Sequence, residues 1–150
     1  MRSRFPGHDL ARLVEAILRA EGFVTNRASL GPDGGADILA AQGPLGLDGP
    51  TLCVQVKATE VPADVTVFRA LQGTMTTFVA SQGLLVSWGG FTQAVKSEAR
   101  QHTFRIRLWD QSDLVQAIYR TYDRLPAEIQ AELPLKRVWA LVREDAEDET

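Results

Sequence analysis

The chain has 150 residues, 45% of them hydrophobic and 23% charged, a composition typical of one globular domain and not of a disordered or fibrous protein. No apolar run approaches the roughly 18 residues of a membrane span, and the N-terminus lacks the apolar core of a signal peptide. The single cysteine, Cys53, excludes an internal disulfide and fits a reducing compartment. We therefore expect a cytoplasmic protein without a membrane segment.

The net charge of −3 is unevenly distributed. The last eight residues, 143–150, hold five acids and one arginine, and such a run predicts a disordered acidic tail after a domain of residues 1–142. Without the tail, 15 basic residues face 14 acidic ones, a charge of about +1. This balance permits a local basic patch but gives no broad attraction to phosphate.

Helix and strand patterns alternate along the chain. Apolar residues recur at helical spacing over 8–22, with Asp9 as a candidate cap. Alternating or apolar runs predict strands at 23–30, 36–42, 51–57, 83–88 and 104–110. Helical patterns predict helices at 65–83 and 111–122, and 89–102 is predicted to be a glycine turn followed by a helix with Thr92 as its cap. A short helix and an arm are expected over 125–142. The order αβββαβαβα indicates an α/β fold with a mixed β-sheet flanked by helices.

The predicted third strand, "TLCVQVK", carries an unusual polar pair. Gln55 and Lys57 alternate with apolar residues and therefore lie on one face of the strand. Asp37 stands at the start of the preceding strand, after the turn "GPDGG", and that strand can pair with this one through the loop 43–50. We expect a carboxylate, an amide oxygen and an ammonium group to converge at one edge of the sheet.

These three groups suit metal-assisted attack on phosphate. Asp37 and the Gln55 carbonyl are hard oxygen ligands for Mg²⁺, and the Val56 backbone carbonyl is a further candidate. The cation would polarise the phosphate and lower the pKa of a bound water. Lys57 would position or deprotonate that water and stabilise the charge that develops on the phosphate. Spacing alone leaves open a plainer interpretation, in which Gln55 and Lys57 form the solvated face of an edge strand.

"GPDGGADILA" followed by "CVQVKA" resembles the Mrr-type restriction endonucleases, a branch of the PD-(D/E)xK nuclease superfamily with a D…QxK signature. The resemblance continues through "VFRALQGTM", "GLLVSWGGFTQAV" and "IRLWDQSDLV", and so covers roughly residues 7–118. It implies a restriction-endonuclease-like core, catalytic roles for Asp37, Gln55 and Lys57, and Mg²⁺-dependent hydrolysis of DNA phosphodiesters, with Mn²⁺ able to substitute.

The first helix departs from the family pattern. The family usually carries a glutamate there that assists with metal, whereas this chain has Ala11 at the matching position and Glu15 one turn later. Helical geometry places Glu15 further from the apolar stripe than Ala11, so we expect it to be more exposed. Two interpretations stay open: Glu15 substitutes for the family glutamate, or it is a surface residue. Gln72 is similarly either a residue that reaches the site from the long helix or a helix-surface glutamine.

Lys96, Arg100, Arg105 and Arg107 form either a phosphate-facing patch or the solvated surface of a helix and an edge strand. Because the overall charge is weak, we expect DNA affinity to depend on a homodimer or on a partner protein. The implied biological role is restriction of foreign or modified DNA in defence, or DNA repair.

Two alternatives to this function remain. The first is a branched-DNA resolvase of the same fold. The second is a catalytically silent nuclease-fold module that binds DNA or a protein partner, and Ala11 is its best support. The joint presence of Asp37, Gln55 and Lys57 argues against the silent module, because a silent site has no physical need for all three.

Overall fold

The computed structural model describes residues 7–27 and 36–133. The elements are α1 (Gly7–Ala20), β1 (Val24–Arg27), β2 (Ala36–Gln42), β3 (Asp48–Lys57), α2 (Val65–Thr77), β4 (Gln82–Ser87), α3 (Gln93–Arg100), β5 (Ile106–Trp109), α4 (Gln111–Thr121), a 3₁₀ turn (Tyr122–Arg124) and α5 (Ala127–Glu132). The predicted order αβββαβαβα is confirmed, with one short helix after it. The predicted tail at 143–150 and the arm that precedes it lie outside the described residues.

The five strands form one mixed sheet in the order β1-β2-β3-β4-β5. β1, β2 and β3 pair antiparallel, whereas β3, β4 and β5 pair parallel. Each parallel pair is joined by a helical crossover, α2 or α3, as parallel pairing requires. None of the described helices is both long enough and apolar enough to cross a bilayer.

The sheet separates two apolar clusters, which define its two faces. On the α1 face, helices α1, α4 and α5 pack on alternate strand residues, among them Val54, Val56, Leu84 and Val86. On the α2 face, helices α2 and α3 pack on the intervening residues, among them Cys53, Leu85 and Ile106. This alternation confirms the predicted phase of β3, and it places Gln55 and Lys57 on the α2 face.

Several element boundaries differ from the prediction, and the end of α2 and the start of β3 have a clear structural cause. Helix α2 ends at Thr77 and not at residue 83, because Val79 adopts a left-handed conformation with φ 54°. The Ala80 N–H then donates to the Met75 carbonyl at 2.8 Å, which is the closure that normally ends a helix at glycine. Because this residue is a valine and not a glycine, the sequence does not indicate that the helix ends here. Strand β3 begins three residues earlier than predicted, because Asp48 still pairs with Gln42 across the hairpin.

Candidate functional site

The candidate site lies at the end of the central strand of the sheet. β3 has β2 on one side and β4 on the other, so the interpretation of Gln55 and Lys57 as the solvated face of an edge strand is wrong. Both residues are only partly exposed. The polar side chains of the site therefore lie on a central strand, whose other residues pack in the apolar core.

The strand register brings the predicted residues together. Asp37 pairs directly with Gln55 in the antiparallel β2–β3 ladder, and residues opposite each other in such a ladder share one face. Lys57 follows two residues later on that face. The predicted juxtaposition of the three positions is therefore present in the backbone. The placement of the Asp37 side chain lies outside what the structure describes, and the roles of all three residues stay predictions.

Two buried oxygen atoms on this face lack hydrogen-bond partners in the described part of the chain. They are Gln55 Oε1 and Ser87 Oγ. A buried hydroxyl or amide without a partner costs about 1–3 kcal/mol, so unpaired buried oxygens are uncommon in folded proteins. Gln55 Oε1 is an acceptor with no donor among the described residues, which is the state expected of an oxygen that binds a cation. The amide at this position thus fits a metal ligand.

The loops beyond β3 and β4 pack tightly against each other at this end of the sheet. The Trp88 N–H donates to the Lys57 carbonyl at 2.8 Å, and the Ala63 N–H donates to the Gly90 carbonyl at 2.9 Å. A Cβ atom on Gly89 would lie 2.5 Å from the backbone carbonyl oxygens of Glu60 and Val61, so only glycine allows this approach. The contact fixes the backbone next to Lys57 and Ser87.

Glu15 is more exposed than Ala11, as expected, but it is still buried, so the interpretation of Glu15 as a surface residue is wrong. Its side chain is 9% exposed. One carboxylate oxygen accepts a hydrogen bond from Thr25 Oγ1 at 3.1 Å, and the other lies 3.4 Å from Arg27 Nη2. Arg19 pairs with the same carboxylate at 3.7 Å. Strand β1, which supplies Thr25 and Arg27, covers this side of α1.

The structure does not bring Glu15 to Gln55. α1 packs on the face of the sheet that contains Val54 and Val56, which is opposite to the face of Gln55. Ala11, at the position of the family glutamate, is completely buried in that same cluster. The first helix therefore contributes packing and a buried ion pair in this region.

Gln72 lies on α2, half-buried, and its Nε2 is 3.4 Å from His102 Nε2. His102 also contacts the Phe68 ring, with ring centroids 6.1 Å apart. The amide of Gln72 is thus engaged with the turn after α3. Sequence spacing gave no reason to connect these residues, because Gln72 and His102 are thirty positions apart.

The four basic residues do not form one surface. Lys96 and Arg100 are exposed on α3, which packs on the α2 face. Arg105 and Arg107 alternate with Ile106 of the α2 face and line a cleft on the α1 face together with Leu18 and Trp109. The predicted single phosphate-facing patch is therefore divided between opposite sides of the sheet.

No cluster of three or more His, Cys, Asp or Glu side chains occurs among the described residues. A cation at the candidate site would instead be held by one carboxylate, one amide and a backbone carbonyl. Val56, the candidate for that carbonyl, is buried between β2 and β4. Mg²⁺ accepts such sparse sets because it retains several water molecules, so the donor set fits a hydrated divalent cation.

Comparisons with known proteins agree with the resemblance seen in the sequence. The model of the Mrr catalytic family, described as restriction endonuclease, matches residues 2–118. No curated protein matches the chain by sequence.

Three solved structures share the fold at low identity. The DNA modification-dependent restriction endonuclease AspBHI is 15% identical, with a TM-score of 0.64 over 89% of this chain and 36% of its own. The MspJI restriction endonuclease, in complex with a 27-mer oligonucleotide, is 15% identical, with a TM-score of 0.55 over 97% of this chain and 35% of its own. AF1548, a protein of unknown function, is 17% identical, with a TM-score of 0.53 over 87% of this chain and 76% of its own. This chain thus spans about a third of the length of the two restriction enzymes.

Proposed function

Since this chain belongs to the Mrr-type restriction endonuclease family, we propose that it hydrolyses DNA phosphodiester bonds with the help of a divalent cation. One observation carries the proposal. Asp37 pairs with Gln55 in the sheet, and Gln55 presents a buried carbonyl oxygen that accepts no hydrogen bond from the described part of the chain. An acceptor that is desolvated and unpaired beside a carboxylate position is costly for folding alone but suitable for a cation.

We assign each residue of the site a separate chemical role. Asp37, the Gln55 side-chain carbonyl and the Val56 backbone carbonyl would hold Mg²⁺, or Mn²⁺ in its place. When bound, the cation supplies Lewis acidity at the phosphate. Lys57 would either deprotonate the attacking water or, as an ammonium group, position it and offset the negative charge that develops on the phosphate oxygens. The packed loops beyond β3 and β4 would keep Lys57 in place.

DNA is the proposed partner, and the proposed biological role is defence against foreign or modified DNA, or DNA repair. Outside its last eight residues the chain is nearly neutral, and its basic residues are divided between two faces of the sheet. Both features predict weak DNA binding by a single copy of the chain. We propose that a second copy of the chain, or a partner protein, supplies the missing positive surface.

The catalytically silent module is the competing proposal. It is favoured by α1, where Ala11 is buried and Glu15 is held by arginines. If the chain were silent, it would bind DNA or a partner without cleaving either strand under any cation.

Plasmid cleavage tests the proposal. The wild-type chain is incubated with supercoiled plasmid in Mg²⁺, in Mn²⁺ and in EDTA, beside Asp37→Ala and the matched control Asp48→Ala, which removes an exposed aspartate at the far end of the same strand pair. Cleavage with either cation, abolished by EDTA and by Asp37→Ala alone, is expected. Cleavage that survives in Asp37→Ala would refute the site.

The choice of DNA substrate separates the remaining roles. Linear, methylated and four-way-junction DNA of one sequence are compared under the cation that supports cleavage. Preference for methylated DNA supports restriction of modified DNA. Preference for the junction supports the branched-DNA resolvase instead.

A further inference from the structure

Ser87 ends β4 directly after the apolar residues 84–86, and nothing in the sequence singles it out. In the parallel β3–β4 ladder it pairs directly with Lys57, and Leu85, two residues earlier, pairs with Gln55. Neighbouring strands lie about 4.8 Å apart. Ser87 is therefore beside Lys57 and diagonal to Gln55, on the face to which Asp37 also belongs by register.

The backbone of Ser87 is hydrogen-bonded, whereas its side chain has no hydrogen bond to any residue that the structure describes. The Ser87 carbonyl accepts from the Gly90 N–H at 3.2 Å. The residue is completely buried, and its Oγ has no partner within the described residues. Alanine would fill nearly the same space without an unpaired hydroxyl, so packing does not explain the serine.

The two orphaned oxygens occur together. Gln55 Oε1 and Ser87 Oγ are the buried side-chain atoms without partners in the described part of the chain, and both lie on the α2 face near the ends of β3 and β4. If each oxygen were unpaired for its own structural reason, there would be no reason for the two atoms to lie at the same site. A single hydrated cation would satisfy both, Gln55 directly and Ser87 through a water molecule, because a hydroxyl can accept as well as donate.

We propose that Ser87 is a positioning residue of the cation site, an inference that rests on the proposed function. Its Oγ holds a water molecule of the hydrated divalent cation whose proposed direct ligands are Asp37, Gln55 and the Val56 backbone carbonyl. With only one carboxylate in the proposed set, the cation keeps most of its water, and the groups that orient this water then determine affinity. Groups that orient the ligands of a metal typically change its affinity by tenfold to a hundredfold when removed.

Binding of Mn²⁺ to the full chain without DNA tests this role, measured by the electron paramagnetic resonance signal of free Mn²⁺. Ser87→Ala removes the hydroxyl, and Ser87→Cys keeps the volume but offers only a weak hydrogen-bonding group. We expect both variants to bind Mn²⁺ about tenfold more weakly than wild type, with melting temperatures equal to or above that of wild type. Ser87→Thr keeps the hydroxyl and should restore the affinity.

A matched control is Thr121→Val. Thr121 is equally buried, but its hydroxyl donates to the Ala117 carbonyl at 2.7 Å within α4. This variant should lower the melting temperature and leave Mn²⁺ binding unchanged.

The outcomes distinguish the two levels of the proposal. Mn²⁺ binding that Asp37→Ala abolishes, but that Ser87→Ala and Ser87→Cys retain at wild-type strength, overturns the role of Ser87 and leaves the cation site intact. A fall in the melting temperature of Ser87→Ala also overturns it, since the hydroxyl is then a structural group. Wild-type protein without any Asp37-dependent Mn²⁺ binding overturns the cation site and the role of Ser87 together.

Discussion

Replacement of Glu15 by glutamine separates a structural role of this acid from a catalytic one. The substitution keeps the shape of the side chain and one oxygen acceptor but removes the charge that faces Arg27 and Arg19 at 3.4 and 3.7 Å. Arg19 is mostly exposed, and an exposed pair contributes at most about 1 kcal/mol. Arg27 is three-quarters buried, and a hydrogen bond to a charged group contributes about 1.5–3 kcal/mol, part of which glutamine retains.

The expected loss for Glu15→Gln is therefore about 1–2 kcal/mol. In a chain of this size each kcal/mol lowers the melting temperature by about 2–4 °C, so a fall of about 2–8 °C is expected. DNA cleavage at a temperature well below the transition, and its dependence on Mg²⁺ concentration, should match those of wild type.

Thermal unfolding and a Mg²⁺ titration of plasmid cleavage measure the two expectations in the same preparation. Glu132→Gln is the control, because Glu132 forms an exposed ion pair with Arg12 at 3.0 Å and should shift the melting temperature much less. Wild-type stability in Glu15→Gln combined with a large loss of cleavage would refute the structural assignment and make Glu15 a member of the catalytic site.

Three further substitutions test the site and the packing around it. Lys57→Ala should lower the cleavage rate by orders of magnitude with little change in DNA affinity measured by fluorescence anisotropy; a comparable loss of affinity would make Lys57 a phosphate clamp. Gly83→Ala should destabilise the chain by about 1–3 kcal/mol in urea unfolding, because its Cβ would lie 2.6 Å from Met75 Sδ. Gly73→Ala, in α2 with open space around the new Cβ, should stabilise it by about 0.5–1 kcal/mol; destabilisation there would contradict the described helix.

The part of the site built on strand periodicity could be predicted from sequence. Alternation along β3 places Gln55 and Lys57 on one face, and a short connection from β2 allows antiparallel pairing, so the convergence of Asp37 with them follows from local rules. Such inferences need only the period of a strand and the presence of a hairpin. Neither depends on contacts with distant segments. The exact partner of Asp37, Gln55, depends in addition on the register shift between Ala40 and Gln42.

The properties that depend on distant contacts could not be predicted in this way. The burial of Glu15 results from β1 covering one side of α1, which a helical projection does not include. Ser87 has no motif, and its importance appears only when its burial and its register with Lys57 are known. The basic residues look like one patch in sequence, but the alternation of β5 turns Arg105 and Arg107 away from α3.

The location of a bound cation is the most direct test of the central claim, that Asp37 and Gln55 meet around a divalent metal. Crystals of the full chain soaked with Mn²⁺ would show the metal by its anomalous scattering. We expect one peak within about 2.0–2.4 Å of an Asp37 carboxylate oxygen and of Gln55 Oε1, with a water molecule between the metal and Ser87 Oγ. A peak at another site in crystals of protein that cleaves DNA, or Asp37 and Gln55 side chains on opposite faces of the sheet, would contradict the claim.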